Sequence, residues 1–168
     1  YRYSNSAYAL LALVVEQASG QRYPDFLRER IFAPLGMADT LAYVNGYNEV
    51  PNRAYGHSAD GDGWRRSDQS TTSAVLGDGG IYSSIDDMAK WDAALYDDRL
   101  LSDASRALAF SAQTTTPTGE ADVAAYGYGW RLDGEGLLWH SGETMGFRNV
   151  ILRWPAQRLT VLLLSNRS

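Results

Sequence analysis

No cysteine occurs in the 168 residues, which excludes thiol catalysis, a cysteine-built zinc site and any disulfide framework while leaving the redox compartment open. The two histidines, His57 and His140, lie far apart without a His-x-x-x-His pair, so no metal centre is expected. Lysine is scarcer still, and Lys90 stands alone. Long apolar runs are missing as well. The longest, residues 8–15, falls far short of the roughly 18 residues that a spanning helix needs. The phosphate-loop ending Gly-Lys-Ser/Thr is absent, so Gly77-Asp78-Gly79-Gly80 reads as a tight turn before a helix. No Gly-x-Ser-x-Gly elbow exists either, which argues against an α/β-hydrolase.

What is there suits one ordinary domain: 45% of the residues are hydrophobic, and a chain of this length buries about 70% of its unfolded surface without staples. Twenty acidic against fifteen basic side chains give a net charge of -5 with no like-charge block. Such a surface repels phosphate backbones and anionic headgroups, so nucleic acid is not an expected partner. The first methionine is Met37, and no charged-then-apolar leader opens the sequence. The expectation is a processed product or an excised piece.

Apolar residues Ala7, Leu10, Leu11, Val14 and Ala18 recur at helical spacing, with Ser4 or Asn5 as cap and Gly20 as stop, predicting a helix over 6–19. Pro24 opens a second helix ending near Pro34 and Gly36. Residues 45–80, rich in Gly, Asp, Asn and Ser without sustained period, read as a long structured loop. Ser84 with Asp87 makes a capping box opening a helix through Leu95, and another short helix follows Ser102. Beyond about residue 124 the pattern turns to strands: 126–132, 137–141, 147–154 and 159–165, with turns at Asp133-Gly134 and Pro155-Ala156. The fold class is therefore α+β, with an antiparallel meander: a helical and loop region over 1–123 and a strand region over 124–168. The last strand is apolar on both faces, so both need cover.

Two short patterns carry chemistry. Tyr3-Ser4-Asn5 precedes the first helix, where a phenol and a carboxamide two residues apart can point into one cleft. His140-Ser141-Gly142 lies on a predicted strand, followed by Gly146-Phe147. Taken singly, Asn5 serves equally as a helix cap, Tyr3 as a core aromatic and His140 as a strand residue.

Taken together, Tyr3-Ser4-Asn5-Ser6 with Tyr8, Leu10 and Leu11, then Ile31-Phe32-x-Pro34-Leu35-Gly36-Met37, Gly79-Gly80-Ile81 with Ser83, Asp86 and Trp91, Tyr126-Gly127-Tyr128-Gly129-Trp130, and His140-Ser141-Gly142 resemble the serine β-lactamase and penicillin-binding-protein superfamily. The resemblance is nearest to its class C β-lactamase, D-alanyl-D-alanine carboxypeptidase and esterase branch, and it implies a β-lactamase/transpeptidase-like fold. It also implies that Tyr3 relays the proton of a nucleophilic serine and later protonates the leaving group. A phenol ordinarily ionises near pH 10, so base work requires nearby positive charge. By the same resemblance, Asn5 donates to the substrate's amide carbonyl, and His140 takes the place of the lysine in a Lys-Thr-Gly triplet, with pH-dependent charge. Ser141 and Gly142 border the substrate, and the Glu143 amide is one oxyanion donor. No cofactor is implied.

One departure is large. The superfamily's nucleophile is the serine of Ser-x-x-Lys, yet three residues before Lys90 stands Asp87. The family's first strands and closing helix have no counterpart either. The expectation is the middle and C-terminal portion of a serine hydrolase domain, inactive alone, whose complete form acylates its serine with an amide or ester. Its substrate is a small molecule or peptide, its partner a segment carrying Ser-x-x-Lys, and its location outside the cytoplasm. Two alternatives stay open: a non-catalytic module that binds glycan or cell-wall peptide on its aromatics, and one subunit of a cleaved enzyme.

Overall fold

The computed structural model describes residues 1–68, 75–115 and 123–168. In chain order the elements are α1 (Asn5–Ser19), α2 (Tyr23–Leu27) running into a π-helical turn (Arg28–Phe32), β1 (Leu41–Ala42), β2 (His57–Asp60), β3 (Gly63–Arg66), β4 (Ile81–Tyr82), α3 (Ile85–Ala94) and α4 (Asp103–Ala109). Then follow β5 (Thr114–Thr115), β6 (Ala125–Tyr126), β7 (Arg131–Leu132), β8 (Leu138–Thr144), β9 (Phe147–Trp154), a 3-10 turn (Pro155–Gln157) and β10 (Leu159–Ser165). Six strands form one antiparallel sheet in the order β10-β9-β8-β7-β6-β5, and β1-β4 and β2-β3 make two small pairs. Among the described residues no helix is long and apolar enough to cross a membrane.

Local chemistry sets the helix ends. Ser4 accepts from the Ala7 amide at 3.2 Å, and Gly20 closes α1 in the left-handed region (φ +69°). Ser84 caps α3 through the Asp87 amide (3.2 Å) and Ser102 caps α4 through the Ser105 amide (3.3 Å). The expected second half of the capping box is missing, because the Asp87 side chain turns inward. Its Oδ2 accepts from the Asp39 amide (2.7 Å) and the Thr40 hydroxyl (2.8 Å), and its Oδ1 meets Lys90 Nζ (2.7 Å). Lys90 also donates to the Gly36 carbonyl at 2.6 Å, so the sole lysine pins α3 to the turn after the π-helix.

Asp87 is fully buried. Burial alone would raise its carboxyl, but the bonds from Lys90, Thr40 and the Asp39 amide outweigh it and hold the group below the usual carboxylate range. The native state thus binds fewer protons here than the unfolded chain. The contribution is fully present above about pH 4, the ordinary carboxylate value, and is lost as pH falls through the lower native value. Melting followed from pH 5 to pH 3 should fall more steeply for the parent than for Asp87→Asn; parallel curves would refute the assignment.

Two corrections concern strands. Residues 126–132 are two short strands joined by a turn in which the Gly127 amide donates to the Trp130 carbonyl (2.8 Å). The predicted loop over 45–80 contains the β2–β3 hairpin and ends in β4, while residues 69–74 of it lie outside the described residues. That hairpin leans on the β8–β9 turn, where Gly146 (φ +80°) and Gly56 pack backbone to backbone; a Cβ on either would strike Ser67 O.

The cores sit at the helix contacts. One holds Leu27, Phe32, Leu35, Met37, Ala42 and Ala94. The other packs Leu95, Trp130 and Leu138 with Trp91 and Phe110 against one sheet face. Register places Leu132, Leu138, Arg153 and Thr160 in one row across that face. Arg153 is completely buried and bonds Asp92 of α3 through Nε (2.5 Å), with Thr160 Oγ1 donating to the same carboxylate oxygen at 3.0 Å. The other face of β10 is open: Val161 and Leu163 are exposed, as are Leu10, Leu11, Leu13 and Val14 of α1.

Candidate active site

Ser4, not Asn5, does the capping, which leaves the Asn5 carboxamide at the first helical position free of that task. The extended residues before α1 bring the Tyr3 ring beside the six-stranded sheet. Its centroid lies 6.0 Å from the His140 ring and 6.3 Å, edge-on, from Tyr126. The Tyr126 hydroxyl stands 3.1 Å from His140 Nε2. The sequence patterns at residues 3–5 and 140–142 therefore meet in space, although almost the whole chain separates them.

His140 is half-buried on β8. Burial first, then the Arg131 guanidinium, push its imidazole below the ordinary histidine value, and the hydrogen bond with the Ser141 backbone opposes them less strongly. The ring is neutral at pH 7. Burial first, then the Tyr8, Tyr1 and Tyr3 phenols, push Tyr126 well above the ordinary tyrosine value, so it keeps its proton.

Beyond His140 the strand has one free edge. β7 pairs with β8 only at Leu138 and Trp139, whereas β9 follows β8 to Thr144. The Asp133 amide donates to the Leu137 carbonyl on the β7 side at 3.3 Å. The period of two carries that direction to Ser141 and Glu143, so their peptide groups point out of the free edge. Ser141, Gly142 and Glu143 are all exposed. A Cβ at Gly142 would meet nothing within 4 Å, so protein packing does not demand the glycine. The Glu143 side chain turns to Arg148 (2.9 Å), leaving its amide as the group offered at the edge.

Two residues of the cluster had been given no role. Tyr126 belongs to the Tyr126-Gly127-Tyr128-Gly129-Trp130 pattern, which is the sequence signal for it, while its burial at the end of β6 emerges only from the fold. Arg131 places its guanidinium 5.4 Å from the Tyr3 ring centroid and 4.9 Å from that of Trp139; nothing local in the sequence distinguishes it from a solvated strand arginine.

An open strand edge, a phenol and a neutral imidazole on a helix-and-sheet scaffold agree with what family comparison shows. The β-lactamase family model matches residues 1–168, and the chain belongs to that family of hydrolases. It is 31% identical to penicillin-binding protein 4* of Bacillus subtilis (strain 168), over 99% of this chain and 40% of that protein. It is 29% identical to a D-aminopeptidase of Brucella melitensis biotype 2, over 99% of this chain and 32% of the relative. The structure superposes on D-amino acid amidase from Ochrobactrum anthropi SV3, complexed with L-phenylalanine amide, with a TM-score of 0.83 and 28% identity, covering 99% of this chain and 50% of the amidase. The chain thus spans 32% to 50% of the length of these relatives.

Proposed function

We propose that residues 1–168 form part of a serine hydrolase domain, supplying the proton relay and the substrate-binding edge of a site whose nucleophile lies on a Ser-x-x-Lys segment outside this sequence. The observation that carries this reading is the 6.0 Å approach of Tyr3 to His140 beside a free strand edge that offers the Glu143 amide. The serine oxygen adds to the carbonyl of an amide or ester, its proton passes to Tyr3, and Tyr3 returns the proton to the departing amine or alcohol. Water then takes the place of the serine in the reverse sequence and releases the acid. Asn5 steadies the substrate amide, and Ser141 and Gly142 border it on β8. The Glu143 amide stabilises the oxyanion, a contribution worth about 10²–10³ in rate where such donors have been removed. Two relatives bear names that specify D-amino-acid derivatives, so D-aminoacyl amides are the first substrates to test.

The uncovered apolar side chains of α1 and β10 support a further body of polypeptide over them, since patches of this kind mark contact surfaces. An extracytoplasmic location goes with the same reading. The 168 residues alone should turn over neither a D-aminoacyl amide nor a chromogenic cephalosporin nor a nitrophenyl ester, while the product of the full coding sequence, including what lies upstream of Tyr1, should hydrolyse at least one. Turnover by the isolated chain that vanishes with Tyr3→Phe, or an upstream sequence without Ser-x-x-Lys, would overturn the proposal.

A further inference from the structure

The site needs a positive charge to draw a proton through a phenol, and His140, which stands where the family triplet has lysine, is neutral at pH 7. We propose that Arg131 is the fixed cation of this site and a positioning residue for the proton relay, laid between Tyr3 and Trp139 from β7. Unlike an imidazole, a guanidinium group does not switch its charge near neutral pH. Register across the sheet sets it in line with Tyr126 on one side and Trp139 on the other, and its carbon Cζ stands 5.4 Å from the Tyr3 ring centroid and 4.9 Å from that of Trp139. One guanidinium nitrogen, Nη1, is buried without a hydrogen-bond partner. Among the described residues no carboxylate pairs with this charge, and it acts on the aromatic groups around it through weakly screened surroundings.

The groups facing His140 make Arg131 the decisive charge. From β6 comes Tyr126, whose hydroxyl is 3.1 Å away; from the segment before α1 comes Tyr3; and Tyr8 and Tyr1 act on Tyr126 from beyond it. Across β9 the register partner is the apolar Ile151. On β8 itself Glu143 is exposed and paired with Arg148. Arg131 thus repels a proton from His140 while lying over the ring of Tyr3, and it supplies from β7 the positive charge that the neutral His140 does not.

This inference rests on the hydrolase reading of the pocket, but its test needs no turnover. The imidazole resonances of His140 and His57 are followed by NMR against pH in the 168-residue protein, in two neutral variants, Arg131→Met and Arg131→Gln, and in Arg131→Lys. The His140 midpoint should move upward in both neutral variants and stay near the parent value with lysine, while His57 on the β2–β3 hairpin holds still. A His140 midpoint that stays or falls in folded neutral variants overturns the proposal. Should neither neutral variant fold, the parent decides: its His140 midpoint should lie below the ordinary histidine value of about 6.5, and a midpoint at or above that value overturns the proposal. Failure of the full-length product to hydrolyse any substrate would sink the hydrolase reading and leave this titration standing.

Discussion

Replacing Asp92 by alanine is expected to destabilise the protein by about 3–5 kcal/mol, the range for removing one partner of a buried ion pair. Arg153 has no exposed surface, and its Nε bond to Asp92 is its charge-assisted contact. The two remaining guanidinium nitrogens have no hydrogen-bond partner, and the guanidinium carbon Cζ lies 4.9 to 5.6 Å from the ring centroids of Tyr96, Phe110 and Trp130. Those rings offset part of the desolvation of the cation, but they cannot replace its counter-ion. Without the carboxylate, a charge stays buried between sheet and helix, and Thr160 loses its acceptor as well. In a domain of this size the melting temperature should drop by roughly 10 °C. The matched double replacement, Asp92→Leu with Arg153→Met, should recover most of the loss, because apolar residues of similar volume often substitute for a buried pair at little cost. Denaturant unfolding of the three variants is the measurement. A loss below about 1 kcal/mol for Asp92→Ala would mean that the cation is already satisfied by its rings.

Periodicity and capping made most of the scaffold legible. The cap at Ser4 and the stop at Gly20 bracket α1, Ser84 marks α3, and the apolar runs of β9 and β10 occupy the predicted residues. What failed did so for physical reasons. Every residue of β3 is exposed, so the hairpin carries no buried stripe for a period-two pattern to reveal, and Asp60-Gly61-Asp62-Gly63 reads as loop composition. At residues 126–132 the apolar content suggested one strand, whereas Gly127 and Gly129 signalled the turn that is present. The capping-box reading at Asp87 lost to tertiary bonds from residues 39 and 40, more than forty positions away. The site divides likewise. Tyr3, Asn5 and His140 stand out once their ordered patterns are set side by side. Arg131 and Arg153 do not, because a strand arginine looks solvated until sheet register shows what lies beside it.

If Tyr3 is the proton relay proposed above, Tyr3→Phe in the full-length product should lower kcat by about 10²–10⁴ with little change in KM, the span expected when a general acid–base is removed. Phenylalanine keeps the ring that packs against Tyr126 and His140, so the loss reports the hydroxyl and not the fold. The competing candidate is Tyr126, whose hydroxyl stands 3.1 Å from His140 Nε2. Burial and three surrounding phenols push Tyr126 up and keep it protonated, which suits it to hold the imidazole and unsuits it to take a proton from serine at neutral pH. Tyr3 is 40% exposed and stands under the Arg131 guanidinium. Tyr126→Phe should therefore cost less than Tyr3→Phe and act through His140: it removes a bond to the ring, so the His140 midpoint shifts with it, while Tyr3→Phe leaves the Tyr126–His140 contact in place. Single-turnover kinetics separate the two, because loss of the relay slows both acylation and deacylation. If Tyr3→Phe retains kcat within about threefold and Tyr126→Phe abolishes turnover, the proton travels through the buried phenol, and Tyr3 is a wall of the pocket.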